Sequence, residues 1–129
     1  MSLIPGSHRD LIESPGVGTL STVGADGTPQ VTALWYLLDG DVVRTSLMTT
    51  RQKYKNALAH PKATLFIFDP TNPFRTLEIR AECSFEDDPS FAFFNRIVRH
   101  YGRDPETFPT EKDGRVILTL TPTRVVATG

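Results

Sequence analysis

Apolar and polar positions from Gly18 onward fall into short β runs separated by turn residues, and helical spacing appears in three places along the chain. Residues 18–23 read as a first strand, and Gly24-Ala25-Asp26-Gly27 supplies the turn after it. Residues 30–38 predict a longer strand, with Val31, Ala33, Trp35 and Leu37 on one face and Thr32, Leu34, Tyr36 and Leu38 on the other. Both faces are largely apolar, so this strand needs cover on both sides, one of them from outside its own core. Leu38-Asp39-Gly40-Asp41 reads as a hairpin turn centred on an Asp-Gly pair, and residues 42–47 complete a meander of three strands. Residues 65–68 read as a short buried strand, and 69–73 as a loop with two prolines. In residues 75–85, Leu77, Ile79, Ala81, Cys83 and Phe85 point one way and Thr76, Glu78, Arg80, Glu82 and Ser84 the other, the pattern of a half-buried strand. Residues 116–121 and 125–128 read as two last strands.

The helical interruptions carry their own punctuation. Ser7-His8-Arg9-Asp10 matches a capping pattern, and Pro15-Gly16 ends the short helix it starts. Thr49 or Thr50 is placed to cap a second helix reaching about His60, with Tyr54, Ala57 and Leu58 as its stripe and Pro61 as its stop. Asp88-Pro89 reads as cap and first-turn proline of a third helix, which carries Phe91, Phe94, Val98 and Tyr101 and ends at Gly102.

Six or seven antiparallel strands with one helix in the middle and one later cannot form a doubly wound sheet. A mainly β fold is predicted, a closed or partly closed β-barrel with flanking helices, because closure removes edge strands. The length of 129 residues fits one domain over residues 1–129.

Composition changes the picture by exclusion. A net charge of −1 offers no global field for nucleic acid or an acidic membrane, so any anion site must be local. One cysteine, Cys83, excludes an internal disulfide, and His8, His60 and His100 share no ligand spacing, so no metal site is expected. No apolar run approaches a membrane span and no signal-peptide core opens the chain, which predicts a cytoplasmic protein.

Three places could carry chemistry. Thr49-Thr50-Arg51-Gln52-Lys53-Tyr54-Lys55-Asn56 brings two hydroxyls, three cations and free N–H groups to a helix start, a setting that suits a phosphate. A solvated basic turn with an ordinary threonine cap is the plainer alternative. Trp35 and Tyr36, with Thr32 and Leu34, offer either a wall for an aromatic ring system or simply core. Arg44 and Ser46 share a face of the neighbouring strand. Arg96 and His100 share a helix face with Tyr101 beside them, open to a substrate, a partner subunit or solvent alone. The Gly-x-Gly-x-x-Gly, Walker and Gly-x-Ser-x-Gly motifs are absent, and scattered acids such as Glu78, Glu82, Glu86, Asp87 and Asp88 define no acid–base pair. A borrowed cofactor would supply the chemistry these side chains lack.

Gly16-Val17-Gly18-Thr19-Leu20-Ser21-Thr22 followed by Asp26-Gly27-Thr28-Pro29-Gln30-Val31 resembles the opening of the pyridoxamine-phosphate-oxidase-like split barrels. Arg51-x-Lys53-x-Lys55-Asn56, followed by His60-Pro61-Lys62-Ala63, is similar to that family's phosphate-binding loop and helix. Phe94-Asn95-Arg96 through His100-Tyr101-Gly102-Arg103 resembles the actinobacterial branch that uses the deazaflavin coenzyme F-420.

The resemblance implies an FMN-binding split barrel, and a homodimer with two cofactor sites at the subunit interface. It implies that Arg51, Lys53, Lys55 and Asn56 bind the cofactor phosphate, assisted by Thr50, while Thr32, Leu34 and Trp35 lie along the ring and Ser46 approaches it. Arg96 and His100 would stand at the substrate mouth, supplied by the same chain or its partner, with His100 or a bound water as the proton source. The implied activity is an oxidoreductase that moves a hydride from reduced F-420 to a small unsaturated organic substrate. An FMN-dependent oxidase or reductase, or a non-catalytic flavin-, deazaflavin- or tetrapyrrole-binding module, are the alternatives. The chain stops at Val125-Val126-Ala127-Thr128-Gly129, short of the C-terminal segment that helps the true oxidases hold pyridoxal phosphate, so vitamin B6 oxidation is not expected.

Overall fold

The computed structural model describes residues 2–109 and 114–129. A 3-10 turn, Gly6–His8, runs into helix α1 (Arg9–Glu13). Strands β1 (Gly18–Val23), β2 (Pro29–Leu34), β3 (Leu37–Asp39) and β4 (Val42–Met48) follow, then α2 (Gln52–Ala59). The chain continues through β5 (Lys62–Asp69), β6 (Asn72–Asp87), α3 (Ala92–His100) and β7 (Arg115–Thr128). The seven strands form one antiparallel sheet in the order β2-β1-β5-β6-β7-β4-β3. Its two edge strands, β2 and β3, are consecutive in the chain and separated only by Trp35 and Tyr36. A two-residue link between opposite edges forces the sheet to curl on itself, which agrees with the barrel expected from the strand pattern and with the split barrel the resemblance implies.

The barrel interior comes from the period-two faces. Leu20, Val43, Leu47, Leu65, Ile67, Leu77, Ile79, Val116, Leu118 and Leu120 are all buried there. Each such side chain contributes about 1.5–3 kcal/mol on burial, offset by the entropy of ordering the chain. A second cluster forms where Phe93, Phe94, Ile97 and Val98 of α3 pack with Leu37. Gly18 permits one close approach, because a Cβ there would lie 2.9 Å from Leu65 Cδ1 and 3.1 Å from Tyr36 Cε1.

Several local expectations are corrected. The 30–38 strand is broken at Trp35-Tyr36, which shifts its alternation, so that Tyr36 and Leu37 are both buried while Val31 is 61% exposed. The hairpin centre is Gly40-Asp41 rather than Asp39-Gly40, since Asp39 pairs with Val42 and Gly40 takes the positive φ of 65°. Residues 65–68 belong to a longer strand with only one face buried; Phe66 and Phe68 face outward at 39% and 47% exposure. The 69–73 loop shrinks to Pro70-Thr71, because Asp69 pairs with Asn72. Residues 116–121 and 125–128 are one strand: a bulge opposite Arg80-Ala81 absorbs Thr123 and accommodates Pro122, which has no N–H to donate.

The caps also differ. Neither Ser7, Thr49 nor Thr50 caps a helix: Ser7 Oγ pairs with His8 Nδ1, and α2 starts after Arg51 without a side-chain cap. Leu58 leaves the expected stripe and is 57% exposed, while Asn56 is buried in its place. Asp88 does cap α3, but from a distance. Phe91, at φ 60°, is the residue before the helix, and the Asp88 carboxylate accepts from the Phe93 and Phe94 N–H groups at 3.2 and 2.9 Å.

Candidate functional site

A cavity of about 560 Å³ opens between β2, β4, the first turn of α2, and α3. Thr32, Ala33, Leu34 and Trp35 line it from β2 and its end, Thr45 to Met48 from β4, and Arg51, Gln52 and Lys53 from the start of α2. Phe94, Ile97 and Val98 of α3 line it too, with Phe108 and Arg115. Elements distant in sequence meet here because β4 leads directly into α2 while α3 packs on β4.

Three cations share this wall. Lys53 is half-buried, and burial first, then the Arg51 and Arg115 charges, push its ammonium below the usual lysine range. Arg115 is lowered in the same way by burial and by Arg51, with Asp88 opposing the shift. Its guanidinium lies 4.5 Å from the centre of the Phe94 ring. Burial and the neighbouring Arg51 charge both weigh against the charged forms of Lys53 and Arg115, and an anion bound beside them would favour those forms. The helix start supplies further donors, because no side chain caps α2.

The same cavity has an apolar, aromatic lining. Trp35 stacks on Tyr101 with ring centres 4.2 Å apart and 7° between planes, and touches Phe108 at 5.5 Å. Two hydroxyls on the wall, Thr32 Oγ1 and Ser46 Oγ, are buried and have no hydrogen-bond partner among the described residues. An unpaired buried hydroxyl is costly, so these two are placed for a ligand with polar edges. Cations, aromatic wall and orphan hydroxyls together fit a ring system that carries a phosphate.

Of the residues singled out from sequence, Thr32, Leu34, Trp35, Ser46, Arg51 and Lys53 line this cavity. Thr50 and Lys55 are exposed beside it and do not line it. Asn56 is turned inward: its amide donates to Thr22 Oγ1 at 3.1 Å and Gln30 Oε1 at 3.3 Å, and accepts from Gln52 at 2.8 Å. Because Gln30 and Gln52 both line the cavity, Asn56 braces the wall from behind. Arg96 is tied to Asp39 at 3.2 Å, and Asp39 also accepts from Arg44 at 2.7 Å. His100 lines a separate hollow of about 200 Å³ with Arg9, Glu13 and Leu37.

Arg115, Phe94 and Phe108 were not expected at the site. Phe94 reads from the sequence as a helix-stripe residue within the late-helix motif, and Arg115 falls just before the strand predicted from residue 116; nothing in the sequence brings either to α2. Among the described residues no group of three or more His, Cys, Asp or Glu side chains could hold a metal ion, and no helix is long and apolar enough to cross a membrane.

Comparison with known proteins places this geometry in context. The sequence profile described as pyridoxamine 5'-phosphate oxidase matches residues 4–129. An F-420 reductase structure is similar with a TM-score of 0.88 and 39% identity, over 95% of this chain and 98% of the other. General stress protein 26 from Bacillus anthracis shares the fold at TM-score 0.71 and 17% identity, over 93% of this chain and 89% of that one. A heme binding protein from Mycobacterium smegmatis does so at 0.75 and 17%, over 98% of this chain and 55% of the other. No curated protein matches. The profile match spans nearly the whole chain, and the relative of highest identity among these is a reductase. The chain therefore belongs to the pyridoxamine 5'-phosphate oxidase family of split barrels, a family of flavin- or deazaflavin-related oxidoreductases.

Proposed function

We propose that this chain is an oxidoreductase that uses the deazaflavin coenzyme F-420 to deliver a hydride to a small unsaturated organic substrate. One observation carries the reading: a single cavity is lined by three cations, three aromatic rings and two unpartnered buried hydroxyls. The similarity to an F-420 reductase supports the same assignment.

When bound, reduced F-420 supplies the hydride. The residues of the chain bind, orient and exclude water. Arg51, Lys53 and Arg115 hold the phosphate by charge-assisted hydrogen bonds. Leu34 and Trp35 give the ring an apolar face, and the Thr32 and Ser46 hydroxyls satisfy its polar edge. Phe94, Ile97, Val98 and Phe108 keep the site dry, which strengthens every polar contact inside it. Thr50 and Lys55, outside the wall, would meet only a part of the ligand that extends toward solvent.

The active unit in this proposal is a homodimer with the cofactor at the subunit interface. Val31, solvent-exposed on an edge strand whose Thr32 and Leu34 line the cavity, is the apolar surface a second copy would cover. Arg96 and His100 lie off the cavity of their own chain, so a role for them at the substrate requires that second copy. FMN is the second cofactor reading. The gathering of Arg51, Lys53 and Arg115 on one wall supports it, because a cation group of this kind also suits a phosphate monoester.

The test is a titration of the apoprotein with F-420 and separately with FMN, following the emission of Trp35, the one tryptophan. Strong quenching by F-420, weak FMN binding and turnover of reduced F-420 with enones or quinones support the proposal. Preference for FMN moves the assignment to a flavin enzyme, and binding without turnover to a cofactor-carrying module. Failure of both ligands to bind, by emission and by calorimetry, refutes the cofactor reading.

A further inference from the structure

The break between β2 and β3 removes Trp35 and Tyr36 from the ladder, and side chains take over their backbone groups. Thr45 Oγ1 donates to the Trp35 carbonyl at 2.6 Å. The Tyr36 N–H donates to the Tyr101 hydroxyl at 2.9 Å. That hydroxyl has one proton, and two carbonyl oxygens lie within reach of it, Gly16 O at 2.7 Å and Tyr36 O at 3.1 Å. One phenol oxygen therefore ties the backbone N–H and C=O of Tyr36 to the segment leading into β1. The same side chain stacks its ring flat on Trp35.

We propose that Tyr101 is a positioning residue for the cavity: its hydroxyl fixes the path of the split and anchors the side chain, and the ring so anchored sets the plane of Trp35. Tyr101 is itself held at the end of α3, where its N–H reaches the Ile97 and Val98 carbonyls, each at 3.2 Å. Ile97 and Val98 line the cavity. Tyr101 does not, so its effect passes through Trp35 and is distinct from ligand contact. Two aromatic planes in register also stop Trp35 from turning about its side-chain bonds, which would change the shape of the wall.

The consequence for ligand binding rests on the cofactor reading proposed above; the effect on Trp35 does not, and the test separates them. The hydroxyl is removed in Y101F, which keeps the ring. Y36F is the comparator, since it removes another buried phenol hydroxyl, the one donating to Leu11 O at 3.0 Å. In ligand-free protein, Y101F should change the near-ultraviolet circular dichroism of Trp35 and lower its emission anisotropy, while Y36F at matched loss of stability should leave both in place. In the presence of F-420, Y101F should raise Kd and KM by roughly two- to tenfold, the equivalent of one neutral hydrogen bond, with kcat changed less.

A folded Y101F whose Trp35 signals match wild type overturns the proposal. So does a Y36F that shifts them as far, because the effect would then be one of general loosening. Hydrogen exchange in wild type provides a measure independent of any variant: the Tyr36 amide should exchange slowly, and exchange at the rate of an open loop overturns the pinning role. Altered Trp35 signals in a chain that binds neither F-420 nor FMN would keep Tyr101 as a positioning residue and remove the cofactor reading alone.

Discussion

Lys53, from the first turn of α2, and Arg115, from the first residue of β7, line the same cavity, and the Arg115 charge adds to burial and Arg51 in lowering the Lys53 pKa. In the free protein the charged lysine is thus disfavoured. An anion bound beside it favours the charged form, so its pKa rises on binding and a proton is taken up. Affinity for a phosphate-bearing ligand should therefore fall as pH rises through the free-protein Lys53 pKa, starting below the ordinary lysine range. K53R, with a guanidinium that stays charged, should flatten this alkaline limb. Isothermal titration in buffers of different ionisation enthalpy measures the proton uptake directly, and a pH-independent affinity in wild type would refute the linkage.

The stability contribution of Lys53 has the opposite sign. Its folded-state pKa is depressed, so the unfolded chain binds more protons between the folded and unfolded values. Stability should rise with pH through that window, and K53M should be at least as stable as wild type at neutral pH in urea unfolding.

Thr32 and Ser46 separate binding from folding. Their hydroxyls have no partner in the free chain among the described residues, so T32V/S46A removes no internal hydrogen bond. Thermal stability should hold or rise by up to about 1 kcal/mol, while F-420 affinity falls roughly tenfold. Equal losses of stability and affinity would show that the hydroxyls serve the fold.

Asn56 and Asp88 should behave the other way. N56A leaves the side-chain oxygens of Thr22 and Gln30 without their amide donor and should cost about 2 kcal/mol in urea unfolding, with a secondary loss of ligand affinity as Gln30 and Gln52 relax. D88A frees the Phe93 and Phe94 N–H groups and should cost about 1–2 kcal/mol. An N56A protein of wild-type stability but abolished phosphate binding would restore Asn56 as a direct ligand.

Cys83 should be inert. Burial pushes its thiol up to about 11, so little thiolate exists at neutral pH. Alkylation by iodoacetamide at pH 7 should be slow in folded protein and become fast in urea; rapid modification of the folded chain would contradict this.

The barrel was legible because period-two alternation survives in Leu77, Ile79 and Ala81 and in Val116, Leu118 and Leu120, where one face meets a core. The pattern failed at Trp35-Tyr36, where long-range contacts to Thr45 and Tyr101 compensate a broken ladder that no local signal announces. Pro122 reads as a strand end, yet a bulge carries the strand past it. At the site, Arg51 and Lys53 stood out because a helix start and clustered charge are local features. Arg115 did not, since its place beside them depends on β7 pairing with β4, where Met48 meets Arg115. Asn56 has the residue type of a ligand, but only the fold reveals that it faces inward.

The strand order has a consequence for how the molecule is made. β7 lies between β6 and β4, and among the strands β4 pairs only with β3 and β7. Until β7 exists, β2, β1, β5 and β6 can zip together, but the β3–β4 hairpin has no sheet to join. A ribosome must therefore release the strand that begins at Arg115 before the barrel can close. Pairings that span so much sequence are slow to form. The cavity wall supplied by β4 is thus among the last surfaces to take shape, and a chain cut before β7 should expose it to chaperones and proteases.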